Sequence, residues 1–294
     1  MNTEPIPSLQ IAERLALPPL KTLLKLTKPG VTLLLVFTAV ATAAAASGPW
    51  FDPARLLLLA ISGGLAAGGA GAINHYLERD LDRQMPRTAG RPLPTGQLSD
   101  PRLALYWGLS LAGLGLWISN LTLPPETTLF TALGIVVYVP IYTMLLKRRT
   151  PLNVVIGGAA GAFPVLAGWS VFRMDWLLLP VALALVVFFW TPAHFWAFAI
   201  RHKADYGRAG FPMLPNIIGA RRTAPFIFIH AFFAVAASLL ALTGLPLLLA
   251  ALSGAIFLGL CIYLWLDPTE TRAYLVYKAS NYYLLVVFVG VLFL

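Results

Sequence analysis

The sequence predicts an all-α membrane protein whose chain crosses a bilayer nine times. Three observations carry this. The 294 residues are 59% hydrophobic and 11% charged, whereas soluble domains run at about 45–50% apolar and about 25% charged. The apolar residues gather into nine runs near the length that spans a bilayer as a helix, about 20 residues. The cations fall one-sidedly between those runs. With a mean hydropathy of +0.78 there is almost no room for a separate soluble domain.

The expected spans are 29–47, 54–77, 103–121, 127–146, 152–170, 175–200, 224–243, 245–266 and 277–294. Residues 1–28 are then an N-terminal cytoplasmic segment and 29–294 a single nine-helix domain. Lys21, Lys25 and Lys28 precede the apolar run 31–40, and the small residues 42–47 resemble a leader cleavage site. The later spans need this first one for their orientation, so it is read as a retained helix. The second span carries Gly63, Gly64, Gly68, Gly69 and Gly71, and the fifth Gly157, Gly158, Gly161 and Gly168. Small residues let membrane helices approach closely; the other reading is room for a bulky flat ligand. Asn153 opens the fifth span and is placed to cap it. Pro192 should kink the sixth. Cys261, the single cysteine, lies in the apolar eighth span, which excludes intrachain disulfides and multi-thiolate metal sites.

Charge sets the orientation. The net charge is +9 and the pI about 9.9, but the cations sit in loops between apolar spans rather than on a nucleic-acid-binding face. With the N-terminus inside, that segment, the even-numbered loops and their flanking span ends hold every one of the 21 Lys and Arg residues except Arg55 and Arg173. Nine spans then put the C-terminus outside, periplasmic in a bacterial inner membrane. The two longest loops, 78–102 and 201–223, are both inside. Each starts charged, contains a Leu-Pro pair (Leu93-Pro94, Leu214-Pro215) and reaches a glycine (Gly96, Gly219), as a duplicated four-helix unit would.

Chemistry concentrates at two places. Asn74, Glu78 and Asp82 stand four residues apart at the end of the second span, so a continuing helix puts them on one face. Hard divalent cations such as Mg²⁺ take such oxygens and share them with substrate phosphates. Asp80 points away from that face, towards Arg79, Arg83 or Arg87, and His75 is read as packing or cavity lining. Arg87 and Arg91 in the following loop can fork onto phosphate oxygens. Lys147, with Arg148 and Arg149, follows the fourth span on the same side and can add phosphate contacts or simply anchor the helix. The second place is the end of the sixth span. Seven- and eleven-residue steps put His194, Arg201 and Asp205 on one helical face if the helix continues, with Trp190, Phe195 and Trp196 crowding His194. Lys203 and Asp205 then lie at headgroup level, suited to phosphate and to a second Mg²⁺.

These residues resemble the UbiA-type intramembrane prenyltransferases. The Asn74-x-x-x-Glu78-x-x-x-Asp82 run, a second charged loop after the sixth span, and the longer string Met85, Arg87-Thr88, Arg91-Pro92-Leu93, Thr191-Pro192, His194-Phe195-Trp196, Lys203, Asp205-Tyr206 and Pro212-Met213-Leu214-Pro215 are similar to the heme-farnesylating branch of that family. The resemblance covers residues 25–290 or so. It implies nine helices around a central cavity, with Mg²⁺ and farnesyl diphosphate at the cytoplasmic end. It also implies transfer of the farnesyl group to a vinyl of heme B, with water addition giving heme O, and heme A synthase as a partner that consumes the product. Quinone-type relatives carry Asp where Glu78 stands, and two aspartates four apart where this chain has Arg201 and Asp205. One Mg²⁺ helped by Arg201 or Lys203 is therefore as good a reading as two.

In that scheme Asn74, Glu78, Asp82 and Asp205 are the metal-ligating and catalytic set with His194. Arg87, Arg91, Lys147, Arg201 and Lys203 face the diphosphate. Tyr76, Trp190, His194, Phe195 and Trp196 line the cavity, where aromatic faces stabilise an allylic cation. His194 either ligates the heme iron or orients the water. A quinone- or chlorophyll-type prenyltransferase is the alternative within the fold; Glu78, Arg87-Thr88 and His194-Phe195-Trp196 argue against it. An anion transporter is the alternative of another class. It would be expected to spread polar groups along a path open in turn to both sides, whereas here they gather at one face.

Overall fold

The computed structural model describes residues 18–173, 175 and 178–294, so most of the expected N-terminal segment lies outside the described residues. The long helices are α1 (Pro29–Ser47), α2 (Pro53–Asp82), α3 (Arg102–Thr122), α4 (Pro125–Leu146), α5 (Asn153–Trp169), α6 (Leu178–Arg201), α7 (Ala220–Ala241), α8 (Gly244–Leu266) and α9 (Glu270–Val291). Seven of them are long and apolar enough to cross a membrane by themselves, which makes this a multi-pass membrane protein. The other two, α3 and the shorter α5, are held by neighbours: α3 by α2 and α4, α5 by α1, α4 and α6.

The remaining contacts close a ring. α6 packs on α7 and α9, α7 on α8, α8 on α9, and α9 returns to α1, which also packs on α2. The cavity inside is lined by α1, α2, α4, α5, α6 and α9, with α3, α7 and α8 standing behind. The contact between α2 and α3 depends on glycine: a Cβ on Gly69 of α2 would sit 2.5 Å from the Gly108 carbonyl oxygen of α3. Most glycines of α2 and α5 meet neighbouring chain in this way, so close packing accounts for them better than ligand room; Gly63, with open space before it, is an exception.

Three local features bring polar groups to one end of the ring. α2 starts on Pro53 with Asp52 as its cap, accepting from Ala54 N at 2.9 Å, and runs 30 residues. At 1.5 Å per residue that is about 45 Å, longer than the hydrocarbon core of roughly 30 Å, so its last turns stay helical as far as Asp82. α4 widens to a π-helix over Val137–Leu146, with Lys147 N donating to Tyr142 O at 2.8 Å. Pro140, which has no N–H to give, sits inside this stretch. Ahead of α1, a short helix (Leu20–Leu26) seats Leu26 among Ala72, Leu93, Leu98 and Ala104. Lys28 then turns the chain into α1 with φ of 51°, the one non-glycine among the described residues with positive φ.

Two expectations at helix ends are revised. α9 begins at Glu270, seven residues before the expected 277, because Thr269 caps it and the charges of Glu270, Arg272 and Lys278 hide a continuous helix from hydropathy. α6 ends at Arg201. A short separate helix, Lys203–Arg208, follows after a break at His202 (φ −113°, ψ 29°), so the helical face of α6 does not extend to Asp205.

Candidate active site

Asn74, Glu78 and Asp82 lie on one face of α2 and are 1%, 3% and 0% exposed. Lys147 Nζ, delivered by the end of α4, donates to Glu78 Oε1. One guanidinium nitrogen of Arg91 reaches both oxygens of Asp82, at 2.9 and 2.8 Å. Asn74 donates from Nδ2 to Thr143 Oγ1 at 3.0 Å and accepts at Oδ1 from Lys28 Nζ, which also donates to Tyr138 OH at 3.0 Å. Asp80 is exposed and pairs with Arg79, as its direction on the helix requires. His75 is buried with Nδ1 unpartnered. The loop is held to α2 by Thr88, whose hydroxyl donates to Asp82 O at 2.9 Å.

Arg87 lies over the Phe198 ring at 5.2 Å, between the triad and the end of α6. Phe211 and Tyr142 both sit against Lys147. Tyr206 is buried beside them; burial raises its phenol above the usual value while Arg87, Lys147 and Arg91 pull the other way, so it stays protonated. Two buried carboxylates thus stand among three cations, Lys28, Arg91 and Lys147, with Arg87 exposed over Phe198. That excess of positive charge in a buried place favours an anionic ligand. Among the described residues no three His, Cys, Asp or Glu side chains gather around one point. The donors available to a cation here are oxygens: the Glu78 and Asp82 carboxylates and the Asn74 amide. This suits Mg²⁺, which completes its shell with water and substrate phosphate.

Beneath the cluster lies the cavity, about 480 Å³. Lys28, Tyr138 and Tyr142 stand at its polar end, and Trp190, His194, Phe195, Tyr277 and Asn281 line its wall. Gly157 makes room for this shape, since a Cβ there would come within 2.5 Å of the Tyr142 ring. His194 is stacked on Trp190, ring centroids 4.3 Å apart, and its Nδ1 lies 2.8 Å from Ser280 Oγ.

Four sequence expectations are corrected, those for Arg201, Asp205, Tyr76 and Trp196. Arg201 turns away from the cluster and bonds Glu270 at 3.1 Å beside Tyr274, because the earlier start of α9 supplies that carboxylate. Asp205 bonds Arg208 at 2.6 Å and lies 3.8 Å from His202, both of its own segment, because the break at His202 rotates it off the α6 face. Lys203 is exposed on that same segment. Tyr76 is outside the cavity lining and carries Arg79 on its ring at 4.5 Å. Trp196, 200° round the helix from His194, faces α7 and meets His230 edge-on. Lys28, Tyr138, Thr143, Tyr277 and Ser280 went unread. Lys28 counted only as positive-inside charge, and the others carry no charge to single them out.

At the opposite end Arg173 donates to Ala46 O at 3.0 Å and Arg55 to Val171 O at 3.5 Å, so the two cations outside the inside-positive pattern tie helix ends together.

The protein-family model that matches is the UbiA prenyltransferase family, over residues 34–287. The chain is 42% identical over 274 residues to protoheme IX farnesyltransferase 1 of Paramagnetospirillum magneticum, covering 91% of this chain and 96% of that one. It is 38% identical to protoheme IX farnesyltransferase 1 of Cenarchaeum symbiosum, covering 92% and 94%. Against the Roseiflexus protoheme IX farnesyltransferase, 40% identical, it spans 52% of the relative's length. Among solved structures it is similar in fold to a digeranylgeranylglyceryl phosphate synthase (TM-score 0.74, 21% identity, 94% of this chain and 99% of that one). A UbiA homolog from Archaeoglobus fulgidus bound to DMAPP and Mg²⁺ is also similar (TM-score 0.64, 16% identity, 92% and 99%). The ring of helices, the α2 triad and these matches together place the chain in the UbiA prenyltransferase family.

Proposed function

We propose that this enzyme transfers the farnesyl group of farnesyl diphosphate to a vinyl group of heme B, adding water to give heme O and releasing diphosphate. The observation that carries the reading is the apolar, His194-lined cavity opening beneath two buried carboxylates and the partly buried Lys28, Arg91 and Lys147. The end-to-end similarity to the Paramagnetospirillum protoheme IX farnesyltransferase supports the choice of acceptor.

Asn74, Glu78 and Asp82 would hold Mg²⁺, which supplies charge neutralisation at the diphosphate as the allylic C–O bond breaks. Glu78 and Asp82 are bonded to Lys147 and Arg91; sharing a cation with substrate shifts those two bases onto phosphate oxygens, which remain within the cluster. Lys28 and Arg87 complete the set that stabilises the leaving group. We assign no second cation to Asp205. Tyr138, Tyr142, Trp190 and Phe195 present ring faces and exclude water while the farnesyl cation exists. The vinyl carbon attacks C1 of the farnesyl group. The cation left beside the porphyrin takes hydroxide from water, and the spare proton goes to solvent or diphosphate.

The cluster end is assigned to the cytoplasm, with the C-terminus outside, on the placement of all Lys and Arg but Arg55 and Arg173. A reporter fused to Leu294 should read periplasmic; a cytoplasmic signal reverses the assignment. Heme A synthase is the enzyme expected to take the product. Purified protein supplied with heme B, farnesyl diphosphate and Mg²⁺ should yield a species heavier by one farnesyl and one hydroxyl group in mass spectra. Prenylation of a quinone precursor instead, with heme B untouched, would move the assignment within the family.

A further inference from the structure

We infer that Ser280 is a positioning residue that fixes the tautomer of His194, so that the imidazole offers an unprotonated Nε2 to the cavity as a ligand for the iron of the acceptor. The inference rests on the reading that heme B is the acceptor.

His194 is held from several sides. Trp190 stacks on it at 4.3 Å with 24° between the planes, and the Tyr277 ring lies 4.6 Å away. Nδ1 is 2.8 Å from Ser280 Oγ, and that oxygen is 2.7 Å from the Tyr277 carbonyl oxygen. Trp190 Nε1 donates to the Ser280 carbonyl at 2.7 Å, which pins α6 to α9 at this level. Ser280 is fully buried.

The hydrogen-bond inventory then decides the proton. A carbonyl oxygen only accepts, so the single Ser280 hydroxyl proton goes to Tyr277 O, and Oγ accepts from His194 Nδ1–H. The reverse arrangement would place an Nε2–H donor in an apolar cavity where, among the described residues, it meets no acceptor. His194 lines the cavity, and with Nδ1 engaged in the α6–α9 contact, Nε2 is the nitrogen left for a ligand. A neutral imidazole whose far N–H is donated to a fixed neighbour is the arrangement that binds metals. The iron of a heme is the metal that the proposed acceptor brings. The relay Tyr277 O, Ser280 Oγ, His194 Nδ1 would then fix the height and rotation of the porphyrin relative to the farnesyl diphosphate above it.

Ser280→Ala removes the hydroxyl and leaves the backbone carbonyl that Trp190 uses, so the helix contact survives. Heme B affinity should fall about tenfold or more, the range for lost outer-shell support of a ligating histidine. The Soret band should move towards that of His194→Ala. Iron-free protoporphyrin IX and farnesyl diphosphate should bind as before, and Ser280→Thr should recover the wild-type spectrum. A second measurement needs no heme. In ¹⁵N-histidine-labelled protein, with the His194 signals assigned by their loss in His194→Ala, wild type should show a protonated Nδ1 and a bare Nε2. Ser280→Ala should show a mixture. A protonated Nε2 in wild type, unchanged heme binding in Ser280→Ala, or an equal loss for heme and protoporphyrin would each overturn the inference while leaving farnesyl transfer standing. Failure of the wild-type protein to bind heme B at all would overturn the inference and the functional reading together.

Discussion

The end of α2 buries Glu78 against Lys147 from the end of α4 and Asp82 against Arg91 of the loop that follows, whereas the loop after α6 keeps Asp205 among residues of its own segment. Both loops follow helices of the same direction, both start charged, and both pass through a Leu-Pro pair to a glycine. The difference lies in where the helix stops. α2 continues unbroken to Asp82, so Asn74, Glu78 and Asp82 stay on one buried face and meet Lys28, Lys147 and Arg91. α6 stops at Arg201, and the short helix after it points Asp205 at Arg208 and His202. Sequence spacing marks a chemical face only while the helix that carries it persists.

The largest expected effects fall on the first loop. Chelation of divalent cations should abolish turnover and added Mg²⁺ should restore it. Glu78→Gln should lower kcat about 100-fold or more, the scale for losing one group that stabilises developing charge. Retention of most activity in either case would remove the α2 face from the chemistry. Intermediate effects belong to the bases that reach that face from other helices. Lys28→Met and Lys147→Met should each weaken farnesyl diphosphate binding by about tenfold to a hundredfold, corresponding to loss of a charge-assisted hydrogen bond worth roughly 1.5–3 kcal/mol. Tighter or equal binding would mean that these lysines serve only to hold Asn74 by a hydrogen bond and to neutralise Glu78 locally. The smallest effect is expected at Arg201. Its bond to Glu270 joins two exposed side chains, and such pairs contribute about 0–1 kcal/mol. Arg201→Ala should leave turnover within about twofold and move thermal stability only slightly; a tenfold loss of turnover would return Arg201 to the diphosphate.

Much of the fold was legible because its signals are long-range averages. Each expected apolar run coincides with a helix among the described residues, seven of which are long and apolar enough to cross a membrane by themselves, and the cations gather at one polar end. The α2 triad was legible because a helix with no proline after Pro53 keeps its period over 30 residues. What escaped depends on local backbone geometry. The left-handed turn at Lys28 aims its side chain at Asn74, and nothing in Lys28-Pro29-Gly30 separates that from ordinary anchoring charge. The π-helical stretch of α4 brings Tyr138 and Thr143 round to the triad, a rotation that a 3.6-residue period does not supply. Ser280 is one of several small polar residues in apolar helices, and only its pairing with His194, 86 positions away, distinguishes it.

The contrast between the two loops is tested most directly by one pair of variants in one assay. Asp82→Asn and Asp205→Asn, purified and supplied with heme B, farnesyl diphosphate and Mg²⁺, are compared by mass-detected product per unit time. Asp82 is fully buried under Arg91 in the cluster, while Asp205 is bound to Arg208 beside it in sequence. Product formation should fall about 100-fold or more in Asp82→Asn and stay within about threefold of wild type in Asp205→Asn, a side chain bonded only within its own segment. Equal and severe losses in both would contradict the account and restore a second acidic site; near-normal turnover in Asp82→Asn would contradict it at its base.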